Sequence, residues 1–515
     1  MSETIERSLR KARKLEASRD LMGALNILEG LVQKFPKNSR AVARRDETKI
    51  NLLRRQAGVS PPDDVQTKLM DLYNSSNWLQ LEYATTKLME LHPKSAFLLN
   101  MFGMASRELG NAEVAERAHR KALSINPQLA ATYINLGNAI QELGKLEEAL
   151  ECYQTGLLKD PTIATAYNNL ANCLGFFGKH DESERNYKTA LEIDPDYSDA
   201  KYNLGGVKLL KGEFEEGWNL REFRWTRPDF KPHLERFSSQ QWNGEPADKL
   251  FVWAEQGIGD EVMFGSCLDE IRHKAKKLLV SVDKRSITLF ERSFPGINFV
   301  DRKAKISQFD FDEHVSAMTA LGFCRRNIED FGNTEPGYIK PCPNKVSEIR
   351  SELERLAEGR PIVGVSWFSK AKLRGKSRSV SLIDLIKYLP KDAFLVNLQY
   401  GDVSADTKKL KAYLGKELHF QESIDNTKDI DGFCALIKAC DRVVSVDNST
   451  VHFAGSINVR CDVILPIGAD WRWGDNAKVK SYWYPSLTLH RQDKLEDWTT
   501  ALISLRSTFS SFDNQ

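Results

Sequence analysis

A 34-residue period constrains the fold of this chain more than any other feature. Intervals of 34 residues separate Pro93, Pro127, Pro161 and Pro195. Within this frame, small residues such as Gly137 and Ala149 allow two helices to approach closely, and the proline ends the second helix because it has no N–H to donate. The period therefore predicts an array of antiparallel helix pairs, each packed on the next.

The residue types within the period match those of tetratricopeptide repeats. The unit that begins at Ala130 places aromatic, small and proline residues in the expected register, at Tyr133, Leu136, Gly137, Ala149, Tyr153 and Pro161. The next unit repeats the register at Tyr167, Leu170, Ala171, Tyr187, Ala190 and Pro195. Because two consecutive units agree in register, this interpretation is specific.

The flanking units set the expected limits of the array. Residues 96–127 fit the repeat more loosely, and residues 54–64 interrupt the frame. The segment GEFEEGWNLREFRW turns aromatic and carries two arginines toward its end, as is typical of a capping helix packed on a following domain. We therefore expect a degenerate helical repeat over 1–60 and tetratricopeptide repeats with their cap over 61–231.

Downstream of Asn243 and Gly244 the pattern changes to short apolar strands, which are KLFVWAE, KLLVSVD, INFVDR, PIVGVSW, AFLVNLQ, DRVVSVD and CDVILP. Strands that alternate with helices form parallel sheets covered on both faces. A polar, proline-containing stretch near residue 343 divides this part into two Rossmann-like domains, 246–342 and 343–515. The predicted fold class is α plus α/β multidomain, an α-solenoid followed by two Rossmann-like domains, with ligands at the carboxyl ends of the strands.

The composition limits the classes of function. The 515 residues are 41% hydrophobic and 28% charged, and the formal net charge is only +2. We expect no nucleic-acid partner, because the protein has no global positive field. The eight cysteines form no CxxC pair, and neither a signal peptide nor an apolar stretch of about 20 residues is present. A cytoplasmic location without a membrane span is the simplest expectation.

Two turns carry candidate binding residues. In FVWAEQGIGDEVMF, Gly257 and Gly259 precede Asp260 at the start of a helix, where backbone amides favour an anion. The alternative interpretation is an ordinary turn with Asp260 as a helix N-cap. In SVDNSTVHFAG, short polar side chains suited to a diphosphate, Asp447, Asn448, Ser449 and Thr450, precede His452. The alternative there is a strongly capped helix with a core histidine.

Three further groups of residues carry weaker signals. Arg378 belongs to a basic loop that would clamp phosphate or form a solvated charge run, with Lys370, Lys372, Arg374 and Lys376. Aromatic residues that would stack on a ligand or pack between domains are Trp471, Trp473, Tyr482, Trp483 and Tyr484. Two Asp-x-Asp strings, Asp310 with Asp312 and Asp429 with Asp431, are better explained by strand and helix edges than by a metal site.

The chain resembles bacterial tetratricopeptide-repeat glycosyltransferases in the repeats and in WAEQGIGDEVMF, SWFSKAKLRGKSRSVSL, VNLQ, SVDNSTVHFAG, LPIGADWRW, YWYPS and HRQ. Its second part is similar to the ADP-heptose lipopolysaccharide heptosyltransferases. The resemblance implies a GT-B fold, an acceptor-side domain over 246–342 and a nucleotide-sugar donor domain over 343–515. It also implies transfer without a metal or another cofactor.

The resemblance also implies residue roles. Asp260 corresponds to the proposed base that deprotonates the acceptor hydroxyl, and His452 joins it as a catalytic candidate. The donor-binding positions correspond to Gly257, Gly259, Arg378, Gln399, Asp447, Asn448, Ser449 and Thr450. Asn448 stands where the family usually has Thr or Ser, and its amide still offers a hydrogen-bond donor.

These roles predict an inverting, metal-independent glycosyltransferase whose acceptor is a protein hydroxyl. The groove of a helical repeat suits an extended peptide, and similar architectures occur in O-linked N-acetylglucosamine transferases and flagellin glycosyltransferases. Two alternatives stay open. One is a transferase that acts on a glycan or lipopolysaccharide core, and the other is a non-catalytic repeat scaffold with a decayed transferase part.

Overall fold

The structure is a computed structural model that describes residues 2–56, 59–371, 375–475 and 479–509. It separates into two compact units, Met1–Cys173 and Leu174–Gln515. Each unit is considered by itself. The domain limits drawn from the sequence, including the end of the repeats near residue 231, stay predictions.

The first unit is built from helices alone in its described residues. Their bounds are α1 Ser2–Ala17, α2 Leu21–Lys34, α3 Ser39–Gln56, α4 Asp63–Asn74, α5 Trp78–Leu91, α6 Ala96–Glu108, α7 Ala112–Ile125, α8 Ala130–Glu142, α9 Leu146–Lys159 and α10 Ala164–Phe176. The predicted prolines lie where expected: α7 ends two residues before Pro127, and α9 ends two residues before Pro161. The predicted helical repeats are confirmed.

The turns inside the helix pairs reveal a second 34-residue period, which the sequence analysis did not use. Gly110 and Gly144 lie in the links after α6 and α8 with φ of +85° and +80°, and Gly178 and Gly212 lie in the links of the next two pairs, at +67° and +84°. A φ in this range favours glycine, because a Cβ atom would clash with the backbone. Each repeat therefore fixes its turn with glycine and its end with proline.

The second unit contains further helices and all the strands. The helices are α11 His180–Ile193, α12 Ser198–Lys211, α13 Phe214–Arg221, α14 Lys231–Glu235, α15 Ile258–Gly265, α16 Leu268–Arg272, α17 Ile287–Ser293, α18 Ala317–Cys324, α19 Pro343–Ala357, α20 Leu382–Ile386, α21 Ser404–Leu414, α22 Ile430–Ala439, α23 Ser449–Ser456 and α24 Thr499–Ser507. The strands are β1 Gln240–Gln241, β2 Ala247–Trp253, β3 Ala275–Val282, β4 Asn298–Asp301, β5 Glu313–Ser316, β6 Ile362–Ser366, β7 Phe394–Asn397, β8 Arg442–Val446, β9 Cys461–Leu465 and β10 Leu487–Arg491.

The strands form two parallel five-stranded sheets. Their orders are β1-β5-β2-β3-β4 and β10-β9-β8-β6-β7. Every apolar segment that the sequence analysis assigned to a strand lies in one of these sheets, as β2, β3, β4, β6, β7, β8 and β9. The predicted parallel sheets are confirmed, and the stretch predicted to divide them is mostly the helix α19.

The two sheets are tied together near that helix. Arg292 of α17 donates to both carboxylate oxygens of Asp431 on α22, at 2.7 and 3.0 Å. The Asp431 carboxylate also accepts from the backbone amide of Cys342, the residue just before α19.

None of the helices in the described parts of the chain is long and apolar enough to cross a membrane.

Candidate functional site

Two of the predicted turns meet where their strands end. The turn after β2 leads into α15, and the turn after β8 leads into α23. A Cβ atom on Gly259 would lie 2.9 Å from Cδ2 of His452, so the two helices touch where residue 259 has no side chain. The structure thus joins both turns in one place, the inter-sheet site, defined by Arg378 and residues 256–260, 447–452 and 470–473.

Asp260 has two kinds of partner in this site. Its Oδ2 accepts a hydrogen bond from the backbone N–H of Gly257 at 3.3 Å. Gly257 is the N-cap of α15 and Asp260 is at the N3 position, so Asp260 caps the helix from N3 and is not the N-cap that the alternative interpretation expected. Its Oδ1 accepts from Nε of Arg472 at 3.1 Å and also from Nη2. Asp260 is therefore both a helix cap and half of an ion pair that joins the two sheets.

Five charged side chains of alternating sign form a row through the site. Arg472 pairs with Asp260 on one side and with Asp470 on the other. Arg378 follows, with Nη2 lying 3.8 Å from Oδ2 of Asp470 and Nη1 lying 3.2 Å from Oδ2 of Asp447. Burial opposes the charge on Arg472, but the two neighbouring carboxylates outweigh it and raise the pKa of this guanidinium. Arg472 is therefore positively charged at neutral pH.

His452 is buried beside this row. Its Nδ1 shares a hydrogen bond with the Tyr484 hydroxyl at 3.0 Å, and its ring stacks on Trp473 with centroids 5.4 Å apart. Burial lowers the pKa of His452 to about 4, although the charge of Asp260 opposes this shift. The imidazole is therefore neutral at pH 7, and among the described residues Nε2 has no hydrogen-bond partner. This nitrogen is the one that can face a ligand.

The polar side chains after β8 serve the local structure first. The Asn448 Oδ1 caps α23 through the Thr450 amide at 3.0 Å, and the Asn448 amide group donates to Ser366 Oγ and to the Phe368 carbonyl. Both of its N–H donors are thereby used, whereas the sequence analysis assigned one to the ligand. The Thr450 hydroxyl is buried with no hydrogen-bond partner among the described residues. Ser449 is partly exposed at the first position of the helix.

Gln399 holds the segment that follows β6. Its Oε1 accepts hydrogen bonds from the Trp367 amide at 2.8 Å and the Phe368 amide at 2.9 Å. The same oxygen accepts from Ser366 Oγ at 3.0 Å. The Gln399 side chain is buried, and its Oε1 accepts all three of these hydrogen bonds, so Gln399 stabilises the backbone of the site. Its backbone lines a cavity of about 280 Å³ beside the end of β7, together with Tyr400, Phe420 and Asn426.

The basic loop after β6 contributes one residue to the row of charges. Arg378 is the member that reaches the inter-sheet site, as the sequence analysis expected. Lys376 is exposed, and Lys370 is an exposed side chain whose Nζ lies 5.7 Å from the centre of the Tyr400 ring. Lys372 and Arg374 lie outside the described residues.

The C-terminal aromatic residues pack against protein. Trp471 meets Trp218 of α13 edge to face at 5.2 Å, and Tyr482 and Trp483 both contact Phe331. Trp473 is fully buried, with its indole N–H lacking a hydrogen-bond partner among the described residues. Of the two interpretations that the sequence left open for these residues, packing describes what the structure contains.

The Asp-x-Asp strings hold cations of the protein itself. Asp310 pairs with Lys249, Asp429 caps α22 and pairs with Lys345, and Asp431 binds Arg292. No group of three or more metal-ligating side chains is assembled in the described parts of the chain.

Sequence reasoning missed three residues that organise the site. Arg472 and Asp470 lie in and beside WRWGD, a string whose local signal comes from its tryptophans. The third is Arg224, which is buried and bridges the carboxylate of Glu255 to the hydroxyls of Ser316 and Thr319. Glu255 is the second residue after β2 and precedes the glycine turn, so Arg224 anchors the base of that turn.

Known proteins resemble this chain in part. Residues 128–196 match the family model of the tetratricopeptide repeat. Protein FlbA of Caulobacter vibrioides is 28% identical over 330 residues, a match that takes in 59% of this chain and 54% of FlbA, so the chain spans about half the length of this curated relative.

Among solved structures, the MamA protein is 20% identical and covers 34% of the chain with a TM-score of 0.26. YrrB, described as a tetratricopeptide-repeat protein with an unusual peptide-binding site, is 17% identical and covers 36% of the chain with a TM-score of 0.27. These two structures are covered over 97% and 98% of their own lengths. The chain thus contains tetratricopeptide repeats followed by a part with two parallel sheets.

Proposed function

We propose that this protein is a glycosyltransferase of the GT-B type, which moves a sugar from a nucleotide-sugar to a hydroxyl group of a protein. The observation that carries the proposal is the meeting of three separately predicted segments: the Asp260 turn, the Asp447 to His452 turn and Arg378. All three lie at carboxyl ends of parallel strands, where α/β proteins bind their ligands. Segments that served only their own helices would have no reason to converge.

The proposed reaction is a single displacement at the anomeric carbon. The carboxylate of Asp260 takes the proton of the acceptor hydroxyl as its oxygen forms a bond to that carbon. The bond from the carbon to the phosphate oxygen breaks at the same time, and the nucleoside diphosphate leaves with the electron pair. General base catalysis of this kind contributes about 10²- to 10⁴-fold in rate. One displacement inverts the configuration of the sugar carbon.

The leaving group would be held by protein charges. Arg378 and Arg472 are two guanidinium groups in one place, and guanidinium groups bind phosphate oxygens in pairs. The Thr450 amide is used by Asn448, so the Ser449 amide at the first position of α23 and Nε2 of His452 would supply the neutral donors. Together they would stabilise the diphosphate without a metal ion. The cavity beside Gln399 and Tyr400 lies at the end of a neighbouring strand and would take part of the nucleoside.

The protein acceptor is assigned to the repeats. Tetratricopeptide repeats in the chain supply helical surfaces suited to an extended peptide or a helix of a partner. Tethering the acceptor and the donor to one chain would raise the effective concentration of the acceptor hydroxyl.

The proposal is tested by calorimetry with ADP, UDP, GDP and their sugar nucleotides, in EDTA and in Mg²⁺. We expect one nucleotide class to bind in EDTA, and Arg378→Ala or His452→Ala to weaken it by about tenfold or more. Arg378→Lys keeps the charge and checks that Asp447 has not been left unpaired. Arg272→Ala, an exposed arginine on α16 paired with Asp269, is the matched control and should bind as wild type does. Silence across the panel would overturn the transferase and favour a protein-binding scaffold.

A further inference from the structure

The row of charges already engages both of its guanidinium groups with carboxylates at the place where the proposed donor would bring more negative charge. The carboxylates of Asp260, Asp470 and Asp447 stand against the guanidinium groups of Arg472 and Arg378, a net charge of −1 for the row. The guanidinium of Arg221, which interacts with both Asp470 and Arg472, offsets that charge. His452 is neutral and adds nothing to this balance. A diphosphate cannot bind either arginine fully while both are engaged by carboxylates, so one carboxylate has to give way.

The structure indicates which carboxylate can leave at the lowest cost. Asp470 belongs to the same short segment as Arg472 and accepts a hydrogen bond from the Arg472 amide at 3.3 Å. Asp447 is almost completely buried against Arg378 and would be left without a cation. Asp260 comes from the other sheet and also loses its cation when Arg472 withdraws, but its side chain is 22% exposed, against 5% for Asp447, and it keeps the Gly257 amide as a partner. The contact between Arg472 and Asp260 is therefore the one that an incoming anion can replace.

The same contact occupies one oxygen of the carboxylate to which the base chemistry is assigned. Oδ1 of Asp260 accepts from two nitrogens of Arg472, and Oδ2 accepts from the Gly257 amide. A carboxylate offers about four lone-pair sites, so three are taken and both sites on Oδ1 are held by Arg472. Removal of Arg472 would expose Oδ1 to the acceptor.

We propose that Arg472 is a switching residue that pairs with Asp260 in the free protein and moves to the donor diphosphate when the donor binds. Oδ1 of Asp260 then becomes available to the acceptor only in the donor complex, so the donor binds before the acceptor reacts. This inference rests on the proposed function. It adds a role for Arg472, which would contact Asp260 first and the donor diphosphate second.

The test compares Asp260→Asn with wild type by calorimetry in EDTA, using inorganic pyrophosphate and the nucleoside diphosphate that wild type binds. Removal of the competing charge should raise the affinity for both probes by about tenfold, although the variant removes a residue of the site itself. Asp269→Asn, an exposed aspartate on α16, makes the same charge change away from the site and should leave the affinity unchanged. Arg472→Gln should weaken binding, and Arg472→Lys should recover part of it.

The double variant Asp260→Asn with Arg472→Gln completes the cycle, because the gain from Asp260→Asn should vanish when Arg472 is absent. A gain that persists would show general repulsion and overturn the switch. Unchanged or weaker binding by Asp260→Asn, when wild type binds, would overturn the switch and leave the proposed function standing. If neither wild type nor Asp260→Asn binds any probe, the proposed function fails and the switch fails with it.

Discussion

Replacement of Gly259 by alanine tests how the two turns of the inter-sheet site meet. The new Cβ atom would lie 2.9 Å from Cδ2 of His452, a contact shorter than packed carbon atoms tolerate. His452 has little room to withdraw, because Tyr484 holds its Nδ1 at 3.0 Å and Trp473 covers its ring. The helices must separate or the ring must leave its position.

The size of the effect follows from the packing. An extra carbon in a filled core costs about 1–3 kcal/mol of unfolding free energy, and we expect Gly259→Ala to fall in this range. Gly257 is a matched control in the same turn, since its Cβ would approach only Oδ2 of Asp260, at 3.7 Å. The φ of Gly257 is −77°, which alanine adopts without strain. Alanine is a poorer N-cap than glycine, but it also lowers the entropy of the unfolded chain, and these two effects nearly cancel. Gly257→Ala should therefore change the free energy of unfolding by less than about 0.5 kcal/mol.

Urea unfolding followed by tryptophan fluorescence measures this difference. Trp78 is the single tryptophan of the first unit, so the fluorescence reports mainly on Leu174–Gln515. In the double variant Gly259→Ala with His452→Ala the clash is absent, and the two changes should couple by at least about 1 kcal/mol. The reasoning is refuted if Gly259→Ala is as stable as wild type, or if both glycine variants are destabilised equally.

Two further predictions concern buried titratable side chains. His119 packs on Gly103 with both ring nitrogens lacking partners among the described residues, and burial lowers its pKa from 6.5 to about 4. The unfolded chain therefore binds the proton first as the pH falls, so about 3 kcal/mol of stability is present above pH 6.5 and is lost toward pH 4. Hydrogen exchange of α6 and α7 at matched pH should show this loss in wild type and not in His119→Phe. Arg224→Met should cost about 3–5 kcal/mol in urea unfolding because Glu255 stays buried without its cation, and adding Glu255→Gln should restore part of the loss.

The sequence predicted those parts of the fold that depend on local pattern. Proline spacing placed the helix ends, and continuous apolar runs placed the buried central strands. The strands β1, β5 and β10 were not predicted because QQ, EHVS and LTLHR contain charged or polar residues. The histidines of β5 and β10 are nevertheless buried: His314 accepts from the Trp253 indole, and His490 bonds to Asp462. Polar groups satisfied by distant partners leave no apolar signal in the sequence.

The site was predicted segment by segment, and its pairings were not. Arg472 and Asp260 lie 212 positions apart in the chain, and no local pattern links them. Gly259 was predicted to let backbone amides approach a ligand. In the structure a group does approach this glycine closely, and that group is the His452 ring. A glycine in a turn signals close approach, and only the tertiary structure shows what approaches it.

The hydrogen bonds around Asn448 and Gln399 decide which part of the site can respond to a ligand. Asn448 joins the start of α23 to Ser366 and Phe368, and Gln399 holds the same segment through three further hydrogen bonds. The start of α23 and the end of β6 are thereby fixed to each other, because moving either would leave buried donors and acceptors unpaired. A ligand whose binding requires the charged side chains to rearrange must therefore act on side chains that these hydrogen bonds do not hold. Arg472, which has carboxylates on two sides and a long side chain, meets that condition.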